Sequence, residues 1–217
     1  MTRHLDDAEL AGENEERRRV WAKQAGRYDK SIAFFERRVF GPGHREWACS
    51  HASGRTLEVA VGSGLNIPLY DPSVQLTAVD LSPEMLELAR ARAAAAGRKV
   101  ALLEGDAHAL AFPDGAFETV VCTYSLCNIP DPHRAVGEMK RVLGPGGRLV
   151  LVDHVRSPVK PVLWVQKAIE LLTRRFEGEH MTRRPLEQVR AHGLDVVERE
   201  RLGLAGIVER VVALKPG

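Results

Sequence analysis

The sequence predicts a three-layer α/β/α sandwich around a mostly parallel sheet. Three observations carry that expectation. Short apolar runs alternate with helical stretches from Leu57 to Val152. The first run, Thr56-Leu57-Glu58-Val59-Ala60-Val61, feeds straight into the turn Gly62-Ser63-Gly64. The second, Thr77-Ala78-Val79-Asp80, ends in an acid at roughly the 20-residue spacing of one β-α-β unit.

Taken in order, residues 1–15 are charged and read as frayed. From Glu16 to Phe40 a sparse apolar stripe (Val20, Trp21, Tyr28, Ile32, Phe35, Val39) has helical spacing, with a break expected near Gly26. Gly41-Pro42-Gly43 closes this arm, so 1–43 is read as an N-terminal helical arm or lid and 44–217 as the main domain. A short helix, His44 to Ala52, leads into strand Leu57–Val61. Leu76–Val79 is the second strand. Ser82-Pro83-Glu84 opens a helix with a serine cap and a proline in its first turn, and Gly97 ends it. Val100–Leu103 and Phe117–Thr123 are strands three and four. Asp131-Pro132 opens a helix that Gly144-Pro145-Gly146-Gly147 closes, and Leu149–Val152 is strand five.

The tail differs. Val162, Val165, Ile169, Leu172 and Phe176 make a broad apolar helical face, and Leu186–His192 reads as another helix ended by Gly193. Residues 153–192 are read as a substrate-side lid. Asp195–Arg201 and Ile207–Lys215 lie close together and predict an antiparallel edge.

Composition sets bounds. With 217 residues, the chain suits one domain with a small appendage. A net charge of +2 is no nucleic-acid signature. Asn128-Ile129-Pro130-Asp131 is not an Asn/Asp-Pro-Pro-aromatic element, so nucleic acid is not the expected partner. Cys49, Cys122 and Cys127 show no paired C-x-x-C spacing, which predicts neither a structural metal nor a disulfide framework, and a cytoplasmic setting. No run reaches the roughly 20 apolar residues of a membrane span, and the acidic start (Asp6, Asp7, Glu9) has no signal-peptide core.

The candidate site follows from the strand ends, where open α/β sheets bind ligands. Gly62 and Gly64 let backbone approach a ligand, and Asp80 can accept from both hydroxyls of a ribose. Glu104-Gly105-Asp106-Ala107 follows strand three, Thr123-Tyr124-Ser125 follows strand four, and Asp153-His154 ends strand five. Each has a plainer reading: a simple turn for the glycines, a helix start for Asp80, a turn cap for Asp106, backbone-satisfied burial for His154. Five features in register outweigh any one alone.

Residues Leu57 to about Val155 resemble a class I S-adenosylmethionine-dependent methyltransferase. Glu58-x-Ala60-x-Gly62-x-Gly64 resembles that family's first motif, and Val79-Asp80-Leu81-Ser82-Pro83-Glu84-Met85-Leu86 its second. Gly105-Asp106-Ala107 and Phe112-Pro113-Asp114-Gly115-Ala116-Phe117-Glu118 resemble its third region, and Arg141-Val142-Leu143-Gly144-Pro145-Gly146-Gly147 is more specific still. Ala60 departs from the pattern, since the family usually has glycine there. The resemblance implies a Rossmann-like fold with a seven-stranded, mostly parallel sheet and a reversed last strand. It implies S-adenosyl-L-methionine as cofactor, with S-adenosyl-L-homocysteine as product.

Cofactor contacts are then expected at Tyr28, Ala60, Gly62, Ser63, Gly64, Asn66, Asp80, Leu81, Met85, Gly105, Asp106, Ala107 and Thr123, with Met85 as an adenine wall. His154 and Tyr124 are the candidates for taking the acceptor's proton. Val121 to Cys127, Asp153-His154-Val155, Trp164 and Gln166 resemble the alkyl-thiol methyltransferases. Tyr28-Asp29 resembles the ubiquinone- and menaquinone-biosynthesis enzymes, and bacterial phospholipid N-methyltransferases are a looser likeness. The hydrophobic anchor of the animal thiol enzymes has no counterpart here. The expected acceptor is small and apolar, with a thiol first, then a quinone or phenol, or a lipid amine. Lys160, Lys167, Arg174, Arg175, Arg183 and Arg184 suggest peripheral contact with an anionic substrate or lipid surface, or merely a solvated face. A monomer or homodimer is expected. Two rivals stand beside this reading: a protein that binds the cofactor without catalysis, and an NAD(P)-dependent oxidoreductase. Against the second, Ile67 stands where a third glycine belongs.

Overall fold

A computed structural model describes residues 5–176 and 180–217, with backbone alone for 172–176. The side chains of Leu172, Arg174, Arg175 and Phe176, invoked above, lie outside the described residues.

The chain starts with α1 (Asp7–Phe35), where a frayed segment was expected as far as residue 15. Its start is set by Asp6, whose carboxylate accepts from Ala8 N and Glu9 N while Glu9 reaches back to Asp6 N, a reciprocal cap. No break occurs at Gly26. A Cβ there would meet nothing within 4 Å, and the helix simply tolerates an exposed glycine. The irregularity falls later, in a π-helical turn at Glu36–Phe40.

After α2 (His44–Ser50) come β1 (Arg55–Val59), β2 (Gln75–Asp80), α3 (Pro83–Ala95), β3 (Ala101–Glu104) and β4 (Phe117–Thr123). Then follow α4 (Pro132–Val142), β5 (Leu143–His154), α5 (Lys160–Phe176), α6 (Pro185–Ala191), β6 (Asp195–Leu202) and β7 (Val208–Leu214). The sheet order is β3-β2-β1-β4-β5-β7-β6. β1 to β5 pair in parallel, and β7 runs antiparallel to both neighbours, which is the reversed last strand the pattern implied. The Gly144–Gly147 segment does not close α4 as a turn. It lies within β5, because Leu143 already pairs with Phe117 and Gly146 N donates to Lys215 O.

Each sheet face buries one helical layer. Ala135, Val136, Met139 and Val142 of α4 pack with Leu186 and Val189 of α6 on one face. Leu86, Ala89 and Ala93 of α3 pack with Ala48 and Cys49 of α2 on the other, together with Phe40. These i, i+3/i+4 spacings form the apolar stripe a layer helix requires. The strand reversal between β1 and β4 opens a crevice at the strands' carboxyl ends, and α1 lies across it.

Candidate cofactor and acceptor site

The crevice encloses about 850 Å³ of empty space out to its mouth. Its wall contains twelve of the fifteen residues expected from the sequence: Tyr28, Ala60, Gly62, Ser63, Asp80, Leu81, Met85, Gly105, Asp106, Ala107, Thr123 and Tyr124. Gly64, Asn66 and His154 do not line it. Gly64 is a packing glycine, with φ +80° and Ala89 of α3 pressed against it. Asn66 lies buried behind the turn, where its Nδ2 donates to Glu58 (2.8 Å) and Thr123 (3.0 Å). His154 is buried behind the ring of Phe40.

The turn after β1 is shaped by its ligand-facing backbone. Gly62 N donates to Asp80 Oδ2 (2.7 Å) and Ser82 N to Asp80 Oδ1 (2.9 Å). The carboxylate is thereby aimed at the crevice, with lone pairs left for two hydroxyls. Burial pushes the Asp80 carboxyl up, and the backbone donors oppose that rise. At Gly62 the nearest atom to an added Cβ is Tyr28 Cε1 at 4.0 Å, so bare backbone faces the gap beneath Tyr28. Ala60 adopts φ +57°, in the left-handed region that favours glycine.

At the β3 end, Asp106 Oδ1 accepts from His108 N (2.9 Å) and pairs with His108 Nδ1 (2.6 Å), while Oδ2 accepts from Asn14 Nδ2 (2.7 Å). Burial raises the Asp106 carboxyl, but the His108 and Asn14 donors outweigh it and hold it below its ordinary range. Asn14 thus presents an amide NH₂ to the oxygen that an adenine amine would use. The rest of α1 is fastened alongside: Asp29 accepts from Ser63 Oγ (2.6 Å) and pairs with Arg92 (2.5 Å), and Arg18 pairs with Glu104 (2.5 Å).

Sequence reasoning missed Arg45, Phe40 and Asn14. The Arg45 guanidinium sits 5.1 Å over the Tyr124 ring and donates to Glu36 (2.7 Å), Asn66 (3.0 Å) and Thr123 (3.2 Å). Burial lowers its pKa, but Tyr28 and Glu36 beside it more than restore the charge. Burial also pushes the Tyr28 phenol up to about 12. No local signal marked Arg45, since one arginine on a short helix reads as solvated.

Phe40 stacks on Tyr124 (5.3 Å between centroids) and on His154 (5.9 Å), forming an aromatic cluster behind the crevice wall at Tyr124. Tyr124 has φ +52°, and its buried Oη has no hydrogen-bond partner among the described residues. Burial holds that phenol far above its ordinary range, so it stays protonated. On the far side of Phe40, ligand-type atoms of Cys127, Asp153 and His154 lie within 4.8 Å of one another. Asp153 is fixed by backbone, accepting from Cys127 N (3.1 Å) and His154 N (2.8 Å).

Comparison with known proteins agrees with this geometry. A family model described as a methyltransferase domain matches residues 57–151. A phosphatidylethanolamine N-methyltransferase of Cereibacter sphaeroides is 39% identical over 160 residues, covering 71% of this chain and 76% of that protein. A demethylmenaquinone methyltransferase of Thermus thermophilus is 41% identical over 114 residues, covering 51% of this chain and 52% of that protein. A SAM-dependent methyltransferase from Thermotoga maritima shares the fold, with TM-score 0.69 and 20% identity over 91% of this chain and 99% of that one. An aligned length of 160 residues at that identity, on a sheet with this strand order, leaves one assignment: the chain belongs to the class I S-adenosylmethionine-dependent methyltransferases.

Proposed function

We propose that this methyltransferase acts on a small apolar acceptor whose nucleophilic atom enters the crevice beside Tyr124, the wall residue backed by Phe40 and His154. The observation that carries the reading is Tyr124 on the crevice wall: backed by the Phe40 ring, which also stacks on His154, it holds a phenol with no hydrogen-bond partner among the described residues. Bound S-adenosylmethionine supplies an electrophilic methyl group on a sulfonium. The residues fit such a group. Asp80 would take its ribose hydroxyls, Asp106 and Met85 the adenine, and Gly62 and Ser63 the methionine backbone. Arg45 and Tyr28 stand ready for its carboxylate.

Alignment and exclusion of water are then the protein's contribution. α1 serves as a strap over the crevice, and the described parts of the 153–192 lid, 153–176 and 180–192, stand on the acceptor side. A phenol held protonated cannot be the base, so Tyr124 donates a hydrogen bond to the acceptor. His154, off the crevice wall, is the group assigned its proton, and the acceptor would reach it only past the Phe40 ring stacked on it.

A lipid amine is placed first among acceptors, because the relative sharing 160 residues is named for one. A quinol follows on the second relative's name, and the thiol rests on the resemblance carried by Val121–Cys127, Asp153-His154-Val155, Trp164 and Gln166. The test is a panel of lipid amine, quinol and alkyl thiol with radiolabelled cofactor. Turnover of one apolar class, lost about 100-fold in His154→Asn and less in Tyr124→Phe, is expected. Cofactor binding without methylation of any class would leave a binding protein instead.

A further inference from the structure

We propose that the rim formed by the end of α1, the turn after β6 and the start of α5 is a docking face for an anionic lipid surface. This deepens the acceptor reading above, because a membrane-resident acceptor must be reached at the bilayer.

Three elements meet at this rim. The end of α1 and the π turn bring Phe34 and Phe35, 60% and 45% exposed. The turn after β6 brings Leu204, 68% exposed. The start of α5 brings Trp164 and Val165, 72% and 58% exposed. Their adjacency is fixed by packing beneath them. Gly203 abuts the carbonyl of Phe40, where an added Cβ would come within 2.7 Å. Gly206 lies against Pro158, and Val162 of α5 packs into the same cluster as Ile32, Val39 and Phe40. Phe40 in turn stacks on Tyr124, so the rim lies next to the Tyr124 wall of the crevice.

α5 is not simply a helix awaiting burial. Its inner face is already engaged: Gln166 accepts from Ser157 N (2.7 Å) and donates to Val155 O (3.0 Å), and Glu170 accepts from Thr182 N (3.1 Å). Its outer face still carries Trp164 and, seven residues on, Leu171 at 77% exposed. Large apolar side chains gathered on one rim mark an interaction surface.

Charge selects the occupant. Arg37, Arg38, Lys160 and Lys167 are exposed on these same segments. The acids there turn inward, Glu36 to Arg45 and Glu170 to Thr182. An outer face of tryptophan, phenylalanine and leucine among lysine and arginine is that of an interfacial helix on anionic lipid. No helix among the described residues is long and apolar enough to cross a membrane, so the contact is peripheral.

The experiment is co-sedimentation of the full chain with vesicles of phosphatidylcholine alone and of phosphatidylcholine mixed with phosphatidylglycerol. Neither carries an acceptor amine, so binding is read apart from methylation. Cofactor calorimetry and turnover of detergent-dispersed acceptor test the functional reading separately. Binding to the anionic vesicles and not the neutral ones, weakened by salt, is expected. Trp164→Ser should weaken it about tenfold, and Lys160→Gln and Arg38→Gln about fivefold each, with cofactor affinity unchanged. Brominated lipid should quench Trp164 emission, an effect missing in Trp164→Phe. Equal binding by the variants, no preference for anionic vesicles, or burial of this face in a dimer by analytical ultracentrifugation would each overturn the proposal.

Discussion

Replacing Gly64 by alanine should destabilise the protein without touching the ligand-facing surface, whereas Gly62→Ala should do the reverse. The two glycines stand two residues apart in one turn, with φ +80° and +57°. At Gly64 a new Cβ would meet Ile67 Cδ1 at 2.7 Å and Ala89 Cα and Cβ at 3.0 and 3.1 Å. The isoleucine can rotate, but the α3 backbone cannot retreat without disturbing its packing on the sheet. Left-handed strain of about 1–2 kcal/mol adds to an overpacking penalty of about 1–3 kcal/mol. A central value of about 3 kcal/mol lowers Tm by about 6–12 °C in a domain of this size. Gly62→Ala carries the strain alone, since its nearest neighbour is Tyr28 Cε1 at 4.0 Å. Its stability loss should be about 1 kcal/mol, but its methyl group fills the gap that the cofactor must enter. Thermal unfolding and urea titration measure the first effect, and calorimetry with S-adenosylmethionine the second. A Gly64→Ala protein melting within about 2 °C of the parent, or a Gly62→Ala protein less stable than the Gly64→Ala one, would refute the division of roles.

Ala60→Gly should stabilise the protein by about 0.5–1 kcal/mol, because alanine at φ +57° carries strain that glycine lacks; urea unfolding reads it. Asp80→Ala should weaken cofactor binding at least about 100-fold, since two hydrogen bonds to a charged acceptor vanish; calorimetry showing parental affinity would contradict the assignment. Glu58 sets a pH dependence. Burial pushes its carboxyl up from 4.5 to about 7, against the donors Tyr70 and Asn66. An acid with a raised folded pKa binds more protons folded than unfolded, so its contribution is complete below pH 4.5 and is lost as pH rises through 7. Its size is on the order of 3 kcal/mol, and Glu58→Gln should flatten that slope in denaturation curves taken across the window.

The β-α rhythm, the glycine turn, the acid ending β2 and the reversed last strand were all readable from the chain. They rest on local properties: side-chain periodicity, glycine's access to positive φ, and serine or aspartate with proline at a helix start. Ser82 does cap α3, and Asp131 does cap α4. Where local signals misled, a longer-range contact had taken over. Gly144–Gly147 carries every mark of a turn, yet it bulges within β5, skipped by the β4 register between Leu143 and Arg148 and held by Lys215 beyond the last strand. Gly26 carries the mark of a break, yet α1 is held along its length by Asn14, Arg18 and Asp29, and passes through it.

The sequence by itself determined the fold class, the cofactor and most of the crevice wall, because these depend on motifs whose spacing follows from one β-α-β unit. Only the tertiary structure decided what each residue does there. It separated Gly64, which packs, from Gly62, which faces the ligand, and set His154 behind Phe40 instead of on the wall. It buried Arg45 between Glu36 and Thr123 and left Tyr124 Oη without a partner among the described residues. It also brought Phe35, Trp164 and Leu204 to one rim from three distant segments. The physical reason is that a residue's charge state and solvation depend on neighbours far along the chain. No local pattern of side chains encodes which neighbours those will be.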